Sequence, residues 1–166
     1  MKMKAASILV IGLFVIGSGC TKAAPPAQKT PDLLNRVNSG PPIPPKNFLH
    51  KTFKVAKYTQ FDFEVPPNSV NPKLQGSFKS YLPGSTPDAG SDASSVDFLL
   101  MNADEFDDFA KGKGDVVRYS ISAAHSQDVD YSLPTALGDP VKYYVVFRNS
   151  GGAKVKMVEA NLTVSF

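Results

Sequence analysis

The sequence has one cysteine, two histidines and no tryptophan among its 166 residues. A single cysteine excludes an intrachain disulfide, so packing must stabilise the fold. The histidines, His50 and His125, stand outside any recognisable catalytic motif, and the chain has no G-x-S-x-G, H-E-x-x-H or phosphate-binding glycine loop. We therefore predict that the protein is not an enzyme.

The chain also has little excess charge of either sign. Its formal net charge is +3 at pH 7. The excess lies in residues 1–46, whereas residues 47–166 carry 12 basic and 14 acidic side chains. Binding to nucleic acid needs a clustered basic face, so we predict no nucleic-acid partner.

An apolar run near the start of the chain is too short to span a bilayer. Residues 5–17 follow two lysines and are apolar apart from one serine and two glycines. A transmembrane helix needs about 20 such residues, whereas the apolar part of a secretory signal peptide has roughly 7–15. Small residues, Ser18 and Gly19, then precede Cys20. This pattern predicts an export signal.

The stretch Ser18-Gly19-Cys20 resembles the lipobox of a bacterial lipoprotein signal. The resemblance implies that residues 1–19 are removed and that Cys20 is acylated, which would anchor the exported protein in the lipid of the cell membrane or outer membrane, facing the periplasm or the surface. Two or three acyl chains would keep the protein in the membrane durably. Each methylene buried in the lipid contributes about 0.8 kcal/mol to membrane binding, whereas one chain alone binds only marginally. The alternative is an ordinary secretory signal with an incidental cysteine.

Proline is concentrated just after this cysteine. Seven of the 14 prolines lie within residues 21–46. Proline fixes φ and removes a backbone donor, which disfavours both helix and sheet. We therefore predict three parts: a signal peptide over residues 1–19, the lipidated cysteine and a Pro-rich tether over 20–46, and one domain over 47–166. A fully extended tether would reach roughly 80 Å.

From about residue 48 onward, apolar and polar side chains alternate, which predicts half-buried strands. The expected strands are FKVAKY, FDFEV, LQGSFKSYL, VDFLLMN, VVRYSISA, DVDYSL, VKYYVVF and the final AKVKMVEANLTVSF. In VVRYSISA, Val117, Tyr119 and Ile121 should face the core. VKYYVVF is apolar on both faces, which predicts a central strand. In the final run, a change of apolar phase predicts a β-bulge near Met157–Val158.

One segment, NADEFDDFAKGKG, has a helical pattern instead. Phe106 and Phe109 are three residues apart, Asn102 or Asp104 can serve as N-cap, and acidic residues fill the first turn. With seven or eight strands and this single short helix, the predicted fold is an all-β antiparallel sandwich of the jelly-roll or a similar type.

The second half of the chain resembles bacterial GOLD-like β-sandwiches. The resemblance rests on the strand and helix VDFLLMNADEFDDFAKG, on VKYYVVFRNS, on the closing AKVKMVEANLTVSF and on LQGSFKS. It covers roughly residues 52–166, implies a sandwich fold and brings no catalytic residues. Eukaryotic cargo receptors with this domain type carry a disulfide, a coiled coil and a membrane helix. We predict none of these here, so the cargo role is not implied.

Three aspartates are the candidate metal ligands. Asp88, Asp92 and Asp97 lie in or beside one loop rich in serine and glycine, and calcium prefers several oxygen ligands from such a loop. The same residue types are also ordinary loop residues. We predict no metal and no cofactor, with these aspartates as the positions to inspect.

Three tyrosines are the candidate binding residues. In the alternating pattern of their strands, Tyr58, Tyr81 and Tyr144 do not fall on the positions that are expected to face the core. Exposed aromatic side chains often mark an interaction surface, but each tyrosine could equally pack against a neighbouring strand.

These features predict a membrane-anchored, exported lipoprotein whose sandwich is a non-catalytic binding or structural module of the cell envelope. Its partner would be an envelope protein or a glycan. The first alternative is a carbohydrate-binding or protease-accessory module, which exposed aromatic residues on one face would favour. The second is an unrecognised hydrolase, which a histidine or carboxylate cluster in one cleft would favour.

Overall fold

The computed structural model describes residues 43–114, 116–149, 151–152 and 154–166. The predicted signal peptide, Cys20 and most of the predicted tether lie outside the described residues. The described part has one α-helix, α1 (Ala103–Ala110), and eight strands: β1 (Lys46–Val55), β2 (Tyr58–Val65), β3 (Lys73–Tyr81), β4 (Val96–Asn102), β5 (Tyr119–Ala124), β6 (Ser126–Ser132), β7 (Val141–Arg148) and β8 (Lys156–Ser165). None of the described helices is long and apolar enough to cross a membrane.

The strands form two antiparallel sheets of four. Sheet A has the order β1-β8-β3-β6, and sheet B has the order β2-β7-β4-β5. The pairs β1–β8, β2–β7, β3–β6 and β4–β5 are nested within one another, as if one long hairpin had been rolled up. Eight strands in two sheets with this nesting make a jelly roll. The predicted antiparallel β-sandwich with one short helix is confirmed.

The main core lies between the two sheets and is filled by alternate residues of every strand. Three phenylalanines from three strands meet at its centre. The ring of Phe78 on β3 stacks on Phe98 of β4 at 5.8 Å, and both rings meet Phe147 of β7 edge-on at 5.4 Å. Stacked and edge-to-face arrangements at this spacing are favourable aromatic geometries, so these rings join the sheets tightly.

Strands β4 and β7 are buried on both faces. Their second faces contribute Leu99, Met101 and Val146 to a smaller apolar cluster on the outside of sheet B. Helix α1 covers this cluster with Phe106 and Phe109. The central position predicted for VKYYVVF is therefore confirmed, whereas β4, expected to bury one face, buries two because α1 folds back over it.

The sequence specifies where α1 begins. The Asn102 side chain accepts a hydrogen bond of 2.9 Å from the Glu105 backbone N–H, and the Glu105 carboxylate accepts one of 2.9 Å from the Asn102 N–H. This reciprocal capping box satisfies two backbone donors that a helix start leaves without partners. Asn102, one of the two predicted N-caps, is the one used.

Two local predictions are wrong. The β-bulge expected near Met157–Val158 is absent, because β8 pairs with β3 in continuous register through both residues. Its inward positions run unbroken from Lys156 to Val164. The described register shifts lie elsewhere, between Asn47 and Leu49 in β1 and between Val96 and Phe98 in β4. Val117, expected in the main core, precedes β5 and packs against the outer cluster under α1.

Strands β3 and β8 approach most closely at Gly76. A Cβ atom at this position would lie 2.0 Å from the Asn161 carbonyl oxygen and 2.9 Å from the Leu162 Cα. The Gly76 φ of +144° is also a conformation that side chains disfavour. Glycine is therefore required for β3 to pair with β8 in this register.

We predict that Gly76→Ala destabilises the domain strongly, beyond the roughly 0.5–3 kcal/mol that most single substitutions cost. The added methyl group must displace the backbone of β8, which is a central strand. Thermal and urea unfolding followed by circular dichroism would measure the loss. Gly138→Ala is the matched control, because its φ of +86° is also positive but its Cβ would meet nothing within 4 Å. Equal and small losses of stability in both variants would contradict the close approach of β3 to β8 at Gly76.

Candidate functional site

The two ends of the sandwich differ in chemistry. The proximal end is where β1 begins and β8 ends, since Lys46 pairs with Val164. The distal end carries the β1–β2, β3–β4, β5–β6 and β7–β8 connections, since Val55 pairs with Lys156 and Tyr58 with Arg148. Charged side chains are buried among the strand ends at the distal end.

The centre of this region is Asp97, which is 4% exposed. Its carboxylate accepts hydrogen bonds from Arg148 Nε at 3.1 Å and from the Ala123 backbone N–H at 2.9 Å. Arg148 Nη2 lies 3.0 Å from the same carboxylate. These contacts join β4, β5 and β7. We call Asp97, Arg148 and Lys156 the distal ion cluster.

Lys156 occupies a core position at the start of β8 and is 1% exposed. Its ammonium group donates a hydrogen bond to the Ser95 carbonyl oxygen. Burial lowers the pKa of Lys156 below its ordinary value, and the nearby Asp97 carboxylate offsets part of that shift. The Ser95 hydroxyl is also buried and has no hydrogen-bond partner among the described residues.

A buried lysine with a lowered pKa beside a serine hydroxyl has the chemical groups of a base and a nucleophile. Both groups are closed to solvent, however, and the ammonium is directed at a backbone carbonyl. The contacts of the distal ion cluster instead hold the β3–β4 and β7–β8 connections against the strand ends. We therefore assign this cluster a structural role.

The three candidate aspartates are not brought together. Asp88 lies in a 3₁₀ turn, Pro87–Ala89, and its carboxylate is 2.6 Å from the Lys79 ammonium. This hydrogen bond lowers the pKa of Asp88 and raises that of Lys79. Asp92 is exposed in a second 3₁₀ turn, and Asp97 belongs to the distal ion cluster. In the described part of the chain, no group of three His, Cys, Asp or Glu side chains could hold a metal ion.

The three candidate tyrosines are packing residues. Tyr144 stacks on Phe106 at 4.1 Å, and Tyr58 meets Phe109 edge-on at 5.2 Å, so α1 covers both. Tyr81 is only 9% exposed. The structure thus places none of them on an open aromatic surface.

The outer face of sheet A is open and polar, in contrast to that of sheet B. Its outward side chains are mostly polar across all four strands, among them Thr52, Gln75, Ser77, Asp128, Glu159 and Asn161, and Met157 and Tyr81 are the apolar or aromatic ones among the described outward positions. A groove of about 240 Å³ lies on this face beside the Pro87–Ala89 turn. Its lining offers hydroxyl, amide and charged groups, together with Phe78 and Pro87.

The two histidines lie in different places. His50 is exposed on the edge strand β1. It pairs in register with Asn161 of β8, which is a central strand of sheet A. His125 is half-buried in the β5–β6 connection, and its backbone carbonyl accepts a 2.7 Å hydrogen bond from the Ser80 N–H. Neither forms part of a described catalytic pair.

Sequence reasoning missed the distal ion cluster. Of its three residues, the sequence marks only Asp97, as a candidate metal ligand. Lysine and arginine are rarely buried, so Lys156 and Arg148 read as solvent-facing. One signal was present: if Lys156 is counted as an inward residue, the alternation with Val158 continues without a phase change to the end of β8.

Comparison with protein-family models gives no match, and no curated protein is similar enough to the chain to match it.

We predict that Lys156→Met is at least as stable as the wild type at pH 7, because removing the cost of burying an ammonium group outweighs the roughly 1–3 kcal/mol for leaving the Ser95 carbonyl oxygen without its donor. The difference in unfolding free energy between the variant and the wild type should shrink as the pH rises. With a lowered pKa in the folded state, wild-type Lys156 loses its proton on folding above that pKa, so wild-type stability increases until the pH reaches the unfolded value of about 10.4.

Urea unfolding at several pH values between 7 and 10.5 would measure this difference. Lys154→Met is the matched control, because Lys154 is exposed two residues away, and its stability difference should stay constant with pH. A Lys156→Met variant that is less stable by the same amount at every pH would show that the buried ammonium stabilises the fold.

Proposed function

We propose that the protein is an exported lipoprotein, anchored through acylated Cys20, whose jelly-roll domain is a non-catalytic binding or structural module of the cell envelope. The anchor is supported by the short apolar run that ends in Ser18-Gly19-Cys20. The GOLD-like resemblance supports a sandwich of this kind and adds no chemistry.

The observation that carries the non-catalytic role is the distribution of polar groups. The buried charges of the distal ion cluster are engaged with one another or with backbone groups. The exposed polar groups are spread across the outer face of sheet A, and at its groove Lys79 and Asp88 are paired with each other. Nucleophilic catalysis needs a nucleophile within hydrogen-bond reach of a base at an accessible position, and the described residues do not provide that geometry.

The direction of the chain supports display of this face. The predicted tether leads into β1 at Lys46, at the proximal end. Since a strand rises about 3.3 Å per residue, the ten-residue β1 places the distal loops roughly 30 Å further along. β1 thus leads away from the predicted point of attachment, and the open face of sheet A lies along this strand.

The carbohydrate-binding alternative gains no support from the tyrosines. Tyr58 and Tyr144 are packed under α1 and cannot stack on a sugar ring. A partner that binds through hydrogen bonds and charges fits the open face of sheet A better. The protease-accessory alternative remains a special case of such a partner.

We predict that cells expressing the full chain incorporate an alkyne fatty acid into it, and that Cys20→Ala abolishes the labelling, because the cysteine thiol is the acceptor. In-gel fluorescence after click coupling would measure it. Thr21→Ala is the control and should label normally. Label that persists in Cys20→Ala would remove the basis for the anchor.

The non-catalytic role has a separate test. The purified full chain would be incubated with esterase, peptidase and glycosidase substrates, and crosslinked pull-downs from envelope extracts would run in parallel. The proposal expects captured partners and no turnover. Turnover that is lost on His50→Ala or His125→Ala would contradict it.

A further inference from the structure

We propose that copies of this chain associate side by side through sheet A, with the β6 edge of one copy pairing with the β1 edge of the next. This deepens the proposed function and rests on it, since it assigns the module a structural role in which its partner is a second copy of itself. Strand order, strand direction and charge all favour this contact.

Both outer strands of sheet A have an unpaired side in the described part of the chain. β1 pairs only with β8 there, and β6 pairs only with β3. An edge strand presents a row of backbone N–H and C=O groups that can pair with another strand. Sheet A can therefore pair with a further strand at either edge, at β1 or at β6.

The directions of these two strands match. A sheet of four antiparallel strands has outer strands that run in opposite directions, so β1 and β6 are antiparallel to each other. A second copy shifted sideways, without rotation, therefore brings its β6 against β1 in antiparallel orientation. The same shift keeps the outer face of sheet A on the same side in both copies.

The charges of the two edges are opposite. β1 exposes Lys51 and Lys54, whereas β6 exposes Asp128 and Asp130. Asp130 also pairs with Lys73 at 2.8 Å, and Lys51 lies opposite Ala160 with its ammonium group over the Phe61 ring, so the contact depends mainly on Lys54 and Asp128. Lys54 and Asp128 both point to the outer face, and neither has an ion-pair partner among the described residues. In the register that places these two side chains opposite each other, Thr52 lies opposite Asp130. Opposite charges at such cross-strand positions are favourable.

The same charges exclude the symmetrical pairings. Lysines on an edge strand usually prevent it from pairing, and two β1 edges would repel each other. Two β6 edges would repel through their aspartates. Only the β1–β6 combination is attractive. Sheet B lacks this complementarity, because β5 carries no charged residue to face the acidic side chains of β2.

A sideways shift also suits a protein anchored at one end. Every copy keeps its β1 start, and so its tether, on the same side of the row. A heterologous contact of this kind does not close, so it generates rows instead of dimers. Confinement to a membrane raises the effective concentration of the copies, which compensates for the weak affinity of a contact this small.

The test uses the acylated full chain in liposomes of phosphatidylethanolamine and phosphatidylglycerol, with fluorescent donor or acceptor groups fused at the C-terminus. Vesicle co-sedimentation is measured first and reports anchoring. Energy transfer between copies then reports association. Because the two readouts are separate, loss of the anchor and loss of self-association are distinguishable.

Two charge-reversed chains probe the edges: Lys51→Glu/Lys54→Glu on β1, and Asp128→Lys/Asp130→Lys on β6. We expect the wild type to transfer energy above the level of randomly placed copies, and each variant alone to fall to that level. A mixture of the two variants should recover transfer, because each then offers the charge that the other needs. Lys113→Glu/Lys154→Glu and Asp92→Lys/Asp139→Lys make the same charge changes away from both edges and should behave as wild type.

Several outcomes would overturn the proposal. They are wild-type transfer at the random level, charge-reversed variants that still associate, and a mixture that fails to recover although both variants melt as the wild type does. Protection of either edge by residues 1–42 of the same chain, seen as slow amide exchange in dilute monomers, would also overturn it.

Discussion

Strands β4 and β7 must be covered on two faces, and the rest of the domain is arranged around that requirement. Their inner faces supply Phe98 and Phe147 to the centre of the main core. Their outer faces supply Leu99 and Val146, which α1 covers. Burying a side chain of this kind contributes roughly 1.5–3 kcal/mol, so the helix is an essential part of the packing.

Because α1 covers the outer face of sheet B, that face is not open to another molecule. The aromatic residues of its outer face, Tyr58 and Tyr144, are used to seat α1 and do not meet solvent as a stacking surface. Among the described residues, sheet A has no comparable cover, and most of its outward side chains are polar. We therefore propose that the domain meets another molecule through the outer face of sheet A and its two edges, β1 and β6. The distal ion cluster holds the loops beyond that face in place.

Much of this architecture could be predicted from local sequence. Alternation of apolar residues predicts the strands, and the two-sided apolar run of β7 predicts its central position. Asn102 and Glu105 predict the helix start. These features depend on neighbours in the sequence, which is why a short window suffices to find them.

The features that were missed depend on distant partners. Lys156 is tolerated in a core position because Ser95, far away in sequence, supplies a carbonyl oxygen, and Asp97 is buried because Arg148 reaches it from β7. The register shift in β1 is likewise set by its pairing with β8. No local pattern encodes these contacts. The signal peptide, the acylated Cys20 and the tether lie outside the described residues and stay predictions.

The central claim is that the outer face of sheet A, with its edges, is the surface through which this protein acts. Hydroxyl-radical footprinting of the full chain, in intact envelopes and again after detergent purification, tests this claim directly. The account predicts that side chains on this face, such as His50, Gln75 and Met157, are protected in the envelope and become reactive on purification. Phe106 and Phe109 of α1 should react equally in both states. Protection confined to α1, with the sheet A face equally reactive in both states, would contradict the account.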